Sequence, residues 1–100
     1  LAGFKSQIGH TLGAAGINSL IRGVMAMNAG IYPATLNCAC PDPAVKWRET
    51  GFVVLDKPAE WKKPIGRPRR FQVDAFGFGG SNFVVQLEQE ENGADQAAAL

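Results

Sequence analysis

Between Thr11 and Ala29 the apolar side chains Ile17, Leu20, Ile21, Val24, Met25 and Met27 recur at helical spacing and fall on more than one face, with Arg22 the only charge. The pattern predicts a helix over 11–29, with Thr11 as its N-cap, ended by Gly30 and followed by Pro33. Asn18, Ser19, Arg22 and Asn28 interrupt the apolar run, and Gly13, Gly16 and Gly23 dilute it below the hydropathy of a membrane span. The small residues instead permit a neighbouring backbone to come close. A central helix buried in protein is expected.

The rest of the chain reads as connections and strands. Pro33, Pro41 and Pro43, with Asn37 and Asp42 as turn formers, predict an irregular connection over 33–51. Residues 52–55 form a short β run, and 57–67 a loop holding Pro58, Pro64 and Gly66, anchored by Trp61. Over 70–76 the pattern alternates, with Phe71, Val73 and Ala75 on one side and Arg70, Gln72 and Asp74 on the other. Residues 77–81 read as a turn and 82–87 as a second, apolar strand, giving an antiparallel hairpin with Phe78-Gly79-Gly80 at its tip. Residues 90–100 are rich in Glu, Gln and Ala without aromatic anchors, so a frayed tail or the start of an interdomain linker is expected. No internal repeat is apparent.

Composition narrows the class. One hundred residues make at most one small domain. The charged fraction of 19% is below the usual ~25%, and 12 glycines accompany it, which points to a piece of a larger body whose surface is partly covered by other protein. No targeting segment is read at the start of the chain. A net charge of +1 gives no electrostatic case for nucleic acid or a membrane surface. The charges are segregated: Lys57, Lys62, Lys63, Arg67, Arg69 and Arg70 crowd one stretch, while Glu88, Glu90, Glu91 and Asp95 make the end acidic. The basic stretch is either a solvated loop or a docking patch for an acidic partner. Cys38 and Cys40 stand two apart, a spacing that disfavours a mutual disulfide, and with one His in the chain a zinc site lacks ligands. Reduced, structural thiols in a cytosolic protein are expected.

Two runs carry candidate chemistry: Gly-Phe-Lys-Ser-Gln-Ile-Gly-His-Thr-Leu-Gly-Ala-Ala-Gly over 3–16 and Ala-Phe-Gly-Phe-Gly-Gly-Ser-Asn over 75–82. One imidazole at the mouth of a buried helix and one glycine-rich turn with two aromatics are parts of an acyl-transfer site. Each has a plainer alternative: His10 as a structural histidine, Lys5 as a surface lysine, Phe76 and Phe78 as core aromatics, Asn82 as a loop-fixing residue. The glycines do not read as a phosphate loop, because no Lys-Ser/Thr follows and the next segment is a strand rather than a helix.

The run from Lys5 to His10, followed by Ala14-Ala15-Gly16, resembles the second-histidine motif of β-ketoacyl synthases. Residues 75–82 resemble that family's glycine-rich gate loop, residues 32–37 its helix-to-loop exit, and the Trp61 region its Trp-containing loop. The order is unbroken over residues 2–88, and the flavour is closer to ketosynthase domains of multidomain polyketide or polyunsaturated fatty acid synthases than to stand-alone enzymes.

The resemblance implies a thiolase-like α-β-α-β-α sandwich of two similar halves. This chain would be the last part of the second half, with 1–89 in the domain and 90–100 as tail or linker. It implies a decarboxylating Claisen condensation in fatty acid or polyketide biosynthesis, with substrates carried on the phosphopantetheine of an acyl carrier protein, no cofactor or metal held by this chain, and a homodimeric, cytoplasmic complete protein. His10 matches the second catalytic histidine and Lys5 the active-site lysine, acting through a carboxylate. Phe78 matches the gating aromatic whose N–H helps form an oxyanion hole, with Gly77, Gly79 and Gly80 freeing the loop and Phe76 and Asn82 supporting it. The resemblance also implies a nucleophilic cysteine and first histidine before Leu1; Cys38 and Cys40, in a Pro-rich loop, do not match that nucleophile. This chain therefore holds half a site and is not expected to be active by itself. A catalytically silent partner, such as a chain-length factor or non-elongating domain, is the rival.

Overall fold

The computed structural model describes residues 1–90. The expected tail lies outside them but for Glu90. In chain order come α1 (Lys5–Ile8), a 3₁₀ turn (Leu12–Ala14), α2 (Ala15–Ala29), β1 (Ile31–Tyr32), α3 (Trp47–Thr50), β2 (Ala59–Glu60), β3 (Arg70–Phe76) and β4 (Asn82–Glu88). β1 pairs with β2 and β3 with β4, both antiparallel.

The helix expected over 11–29 is split. Thr11 is not its side-chain cap: the 3₁₀ turn intervenes, Ala14 occupies the N-cap position, and the Thr11 hydroxyl instead accepts from Asn18 Nδ2 at 3.0 Å. Gly30 ends the helix as expected, at φ 67° and ψ 36°, its N–H reaching the carbonyls of Ala26 and Met27. That left-handed geometry carries no penalty at glycine.

Small residues decide how α2 meets the sheet. A Cβ at Gly16 would stand 3.1 Å from the Cβ of Ala75, and one at Gly23 would overlap the ring of Phe71, 2.8 Å from its Cζ. Any side chain at Gly23 therefore displaces Phe71, an overpacking worth about 1–3 kcal/mol. Gly16 sits at Ala75 and Gly23 at Phe71, so α2 runs antiparallel to β3. Ala26 and Met27 are buried, whereas Ile17, Ile21 and Met25, a stripe at i, i+4 and i+8, stay exposed. The helix expected to be buried is thus covered on one side only, and its second apolar face is exposed among the described residues.

The hairpin matches its pattern. Arg70 pairs with Glu88, Gln72 with Gln86, Val73 with Val85 and Phe76 with Asn82. Phe71, Val73 and Ala75 are half-buried under α2, and the alternate positions are exposed. On that outer face Arg70 Nε donates to Glu88 at 2.8 Å and Gln86 Nε2 to Gln72 Oε1 at 2.9 Å. On β4, Phe83, Val84 and Val85 are exposed on both faces. A continuous apolar run of that kind belongs to a strand covered on both sides.

Elsewhere the expectations need correction. Residues 52–55 form no strand, because they meet no partner ladder; Leu55 O accepts a single bond from Thr35 N–H at 2.9 Å, and Val53 O one from the Leu1 amino group. The irregular stretch contains α3, set up by Asp42, whose Oδ1 takes the Ala44 N–H and whose carbonyl takes Trp47 Nε1 at 2.8 Å. The 57–67 loop contributes β2, and Trp61 is buried as the expected anchor, stacked on Tyr32 at 4.8 Å. Both cysteines are free thiols, Cys38 half-buried and Cys40 exposed.

Two members of the basic stretch already have partners within this chain, one buried and one on the surface. Arg69 is 3% exposed and ties three segments together: Nε donates to Trp61 O at 2.8 Å, and Nη1 to Gln89 Oε1 at 3.1 Å and to Met27 O at 3.4 Å. Arg70 is matched to Glu88 across the hairpin. Lys57, Lys62, Lys63 and Arg67 are exposed.

Candidate active site

The antiparallel run of α2 against β3 sets the site. It brings the start of α2, with the segment leading into it, to the end of the sheet where β3 turns into β4. Lys5 and His10 lie on that leading segment, and residues 77–81 form the turn. The two candidate motifs therefore share one end of the molecule. No hydrogen bond or ion pair joins Lys5, His10 and the turn to one another among the described residues.

The backbone around His10 is held in unusual geometry. Gly9 closes α1 at φ 79°, donating its N–H to Lys5 O at 2.8 Å, a conformation suited to glycine. Leu12 also has a positive φ, 50°, which disfavours an ordinary side chain by about 1–2 kcal/mol. Its N–H donates to His10 Nδ1 at 3.0 Å. With Nδ1 accepting, the neutral imidazole carries its proton on Nε2, which faces out as a donor from an exposed ring. Strain stored at Leu12 thus fixes the tautomer of its neighbour, an arrangement more often found at functional sites than in connecting loops.

Lys5 opens α1 with its side chain exposed. The carboxylate implied beside it is not supplied by the described residues.

The turn is closed by backbone bonds, Gly77 N–H to Ser81 O at 2.9 Å and Gly80 N–H to Gly77 O at 3.0 Å, with Gly80 at φ 84°. A Cβ at Gly77 would stand 3.1 Å from Ser81 O, while Gly79 faces open space. Phe78 projects fully, at 102% exposure, and Phe76 is 74% exposed, so neither packs into a core among the described residues. The Phe78 N–H meets no acceptor among the described residues. Asn82 acts through register, opposite Phe76, and makes no side-chain hydrogen bond there.

Two residues that sequence reasoning passed over as mere interruptions of the helix have specific partners here. Asn18 holds Thr11, and Arg22 Nη1 and Nη2 donate to the carbonyls of Gly3 at 2.9 Å and Ala34 at 2.6 Å, with the guanidinium 4.8 Å from the centre of the Phe4 ring. Burial draws the Arg22 guanidinium below its ordinary value. A lone charge in a long apolar helix was the available signal.

Two shallow surface grooves run along β3 and β4 and beside Trp61, and neither is lined by His10 or Phe78. His10 and Phe78, at the end that carries the motifs, are exposed.

Comparison with known proteins settles the family. Residues 1–39 match the family described as beta-ketoacyl synthase, C-terminal domain. The spectinabilin polyketide synthase system protein NorB of Streptomyces orinoci is 47% identical over 89 residues, covering 89% of this chain and 4% of that protein. Chalcone synthase cfoA of Aspergillus candidus is 42% identical over 91 residues, 91% of this chain and 3% of its own length. The ketosynthase from module 6 of the bacillaene synthase of Bacillus subtilis 168 superposes with a TM-score of 0.83 at 32% identity, covering 90% of this chain and 17% of that one. The chain belongs to the β-ketoacyl synthase family, to its C-terminal part. Its helix and hairpin belong to the thiolase-like architecture of those domains. The chain spans only a few per cent of the curated relatives it matches. No helix among the described residues is long and apolar enough to cross a membrane.

Proposed function

We propose that the complete domain catalyses a decarboxylating Claisen condensation in polyketide assembly, and that His10 donates from Nε2 to the thioester oxygen on which negative charge develops. The observation that carries this reading is the Leu12 N–H on His10 Nδ1, which leaves Nε2–H as the outward donor. An acyl group passes from a carrier thioester to a cysteine upstream of this chain. The malonyl thioester then loses CO2, and the electron pair of the broken C–C bond enters an enolate. That carbon attacks the acyl-enzyme carbonyl, and the cysteine leaves as thiolate. Imidazole N–H and backbone amides stabilise both oxyanions without solvent reorganisation, each worth about 2.7–4 kcal/mol. The unpartnered Phe78 N–H suits the acyl-enzyme oxyanion. Lys5 supports the histidine network through a carboxylate from outside the described residues, and the first histidine likewise comes from upstream. Residues 1–89 complete the domain, with buried Gln89 bonded to Arg69 as its last anchor.

Offered an acyl thioester and then a malonyl carrier thioester, the complete domain is expected to release CO2 and form a ketoacyl product. Neither CO2 release nor acylation of the domain would assign it instead to the silent class. The reading places the protein in the cytoplasm as a homodimer.

The partner is an acyl carrier protein, whose surface is acidic, and the exposed Lys57, Lys62 and Arg67 suit it. Reversing these three charges is expected to raise the KM for carrier-bound malonate several-fold and flatten its salt dependence, because complementary charge mainly steers encounter. An unchanged KM would reduce them to a solvated loop.

A further inference from the structure

The segment that bears Lys5 and His10 is an exposed excursion with no buried residue in α1 or in the 3₁₀ turn, so packing does not fix its shape. It is gripped at both ends by one face of α2. Asn18 Nδ2 donates to Thr11 Oγ1 at 3.0 Å, one residue past His10. Arg22, one helical turn further along the same face, donates to Gly3 O at 2.9 Å, two residues before Lys5, and lies over the Phe4 ring. Its second arm reaches Ala34 O at 2.6 Å, and Thr35 Oγ1 next to it accepts the Gly3 N–H at 3.0 Å. Both backbone groups of Gly3 are thereby engaged, and the guanidinium is matched to two carbonyls rather than to a carboxylate. Its planar fork can satisfy both at once, which a single ammonium does less well.

We infer that Asn18 and Arg22 are positioning residues for the reaction, a two-point clamp on α2 that sets where Lys5 and His10 stand relative to the substrate. The inference rests on the condensation reading of His10. Neither residue touches the reacting atoms. Each end of the excursion has its own hold, so releasing one leaves the helix and sheet intact while the imidazole drifts, and a misplacement of about 1 Å costs on the order of a hundredfold in rate.

The test is made in the complete ketosynthase. Arg22→Met keeps the aliphatic bulk and removes the donors, and Asn18→Ala removes the other hold. Both are expected to lower kcat for malonyl decarboxylation about ten- to a hundredfold, with KM and acylation of the upstream cysteine unchanged. Arg22→Lys is expected to recover part of the loss. Decarboxylation at the parent rate in a folded Arg22→Met or Asn18→Ala protein would overturn the clamp, as would a parallel fall in acylation and decarboxylation, which marks a general loss of structure. If Arg22→Met does not fold, Asn18→Ala decides by the same two rates. His10→Ala run alongside separates the two ideas: if it decarboxylates normally, the condensation reading fails, whereas if it is dead and the clamp variants are normal, only the clamp fails.

Discussion

His10→Ala in the complete ketosynthase is expected to cut malonyl decarboxylation by at least about 10²–10³-fold, the usual consequence of removing one preorganised donor from a developing oxyanion. Acylation of the upstream cysteine should persist, since His10 is assigned to the malonyl half-reaction. The reason lies in local geometry. Leu12 at φ 50° aims its N–H at Nδ1, so the only proton that the neutral ring can offer sits on Nε2. His10→Gln, whose amide can also donate, is expected to retain more activity than His10→Ala. Released CO2 and the mass of the acylated protein measure the two half-reactions separately. Parent-like CO2 release from His10→Ala would sink the assignment. Equal loss of both half-reactions would make His10 a structural histidine.

What was legible in the sequence follows from how local each signal is. The hairpin was readable nearly to the residue, because a period of two and a glycine-rich turn are carried by the chain itself. So was the end of α2 at Gly30, where the left-handed cap selects glycine. Thr11 was misread because a 3₁₀ turn and an α-helix share the same small, apolar residues, and only the backbone separates them. Residues 52–55 have strand composition, yet a strand exists only where a neighbour offers a ladder. Arg69 and Arg70 are identical in type and adjacent, and nothing in their letters reveals that one is an interior strut and the other a cross-strand partner of Glu88. Of the candidate site, the residue types and their order were visible. The convergence of the two motifs at one end was not, since it depends on Gly16 meeting Ala75 and Gly23 meeting Phe71 across more than forty residues. Arg22 was visible only as an oddity, because its carbonyl partners lie in two distant segments.

Phe78→Ala separates a gate from a packing residue with large effects of opposite kinds. A core phenylalanine loses about 3–5 kcal/mol when truncated. Here the ring projects wholly from the tip of the turn, between Gly77 and Gly79, with none of the described residues against it. Its neighbours give the backbone unusual freedom, while β3 and β4, paired from Phe76↔Asn82 outward, hold both ends of the loop. A large ring on a free hinge between two fixed strands is suited to occluding the nucleophile until it is acylated and swinging aside afterwards, as lid loops do. Phe78→Ala in the complete domain is therefore expected to melt near the parent temperature while losing the order of its substrates. CO2 should be released from malonyl thioester before the cysteine is acylated, and CO2 released should exceed ketoacyl product formed. A drop in melting temperature equivalent to several kcal/mol, with CO2 and product still matched one to one, would make Phe78 packing against the rest of the domain. The result would leave His10 untouched, because a donor that stabilises the enolate and a ring that times its formation fail in different assays.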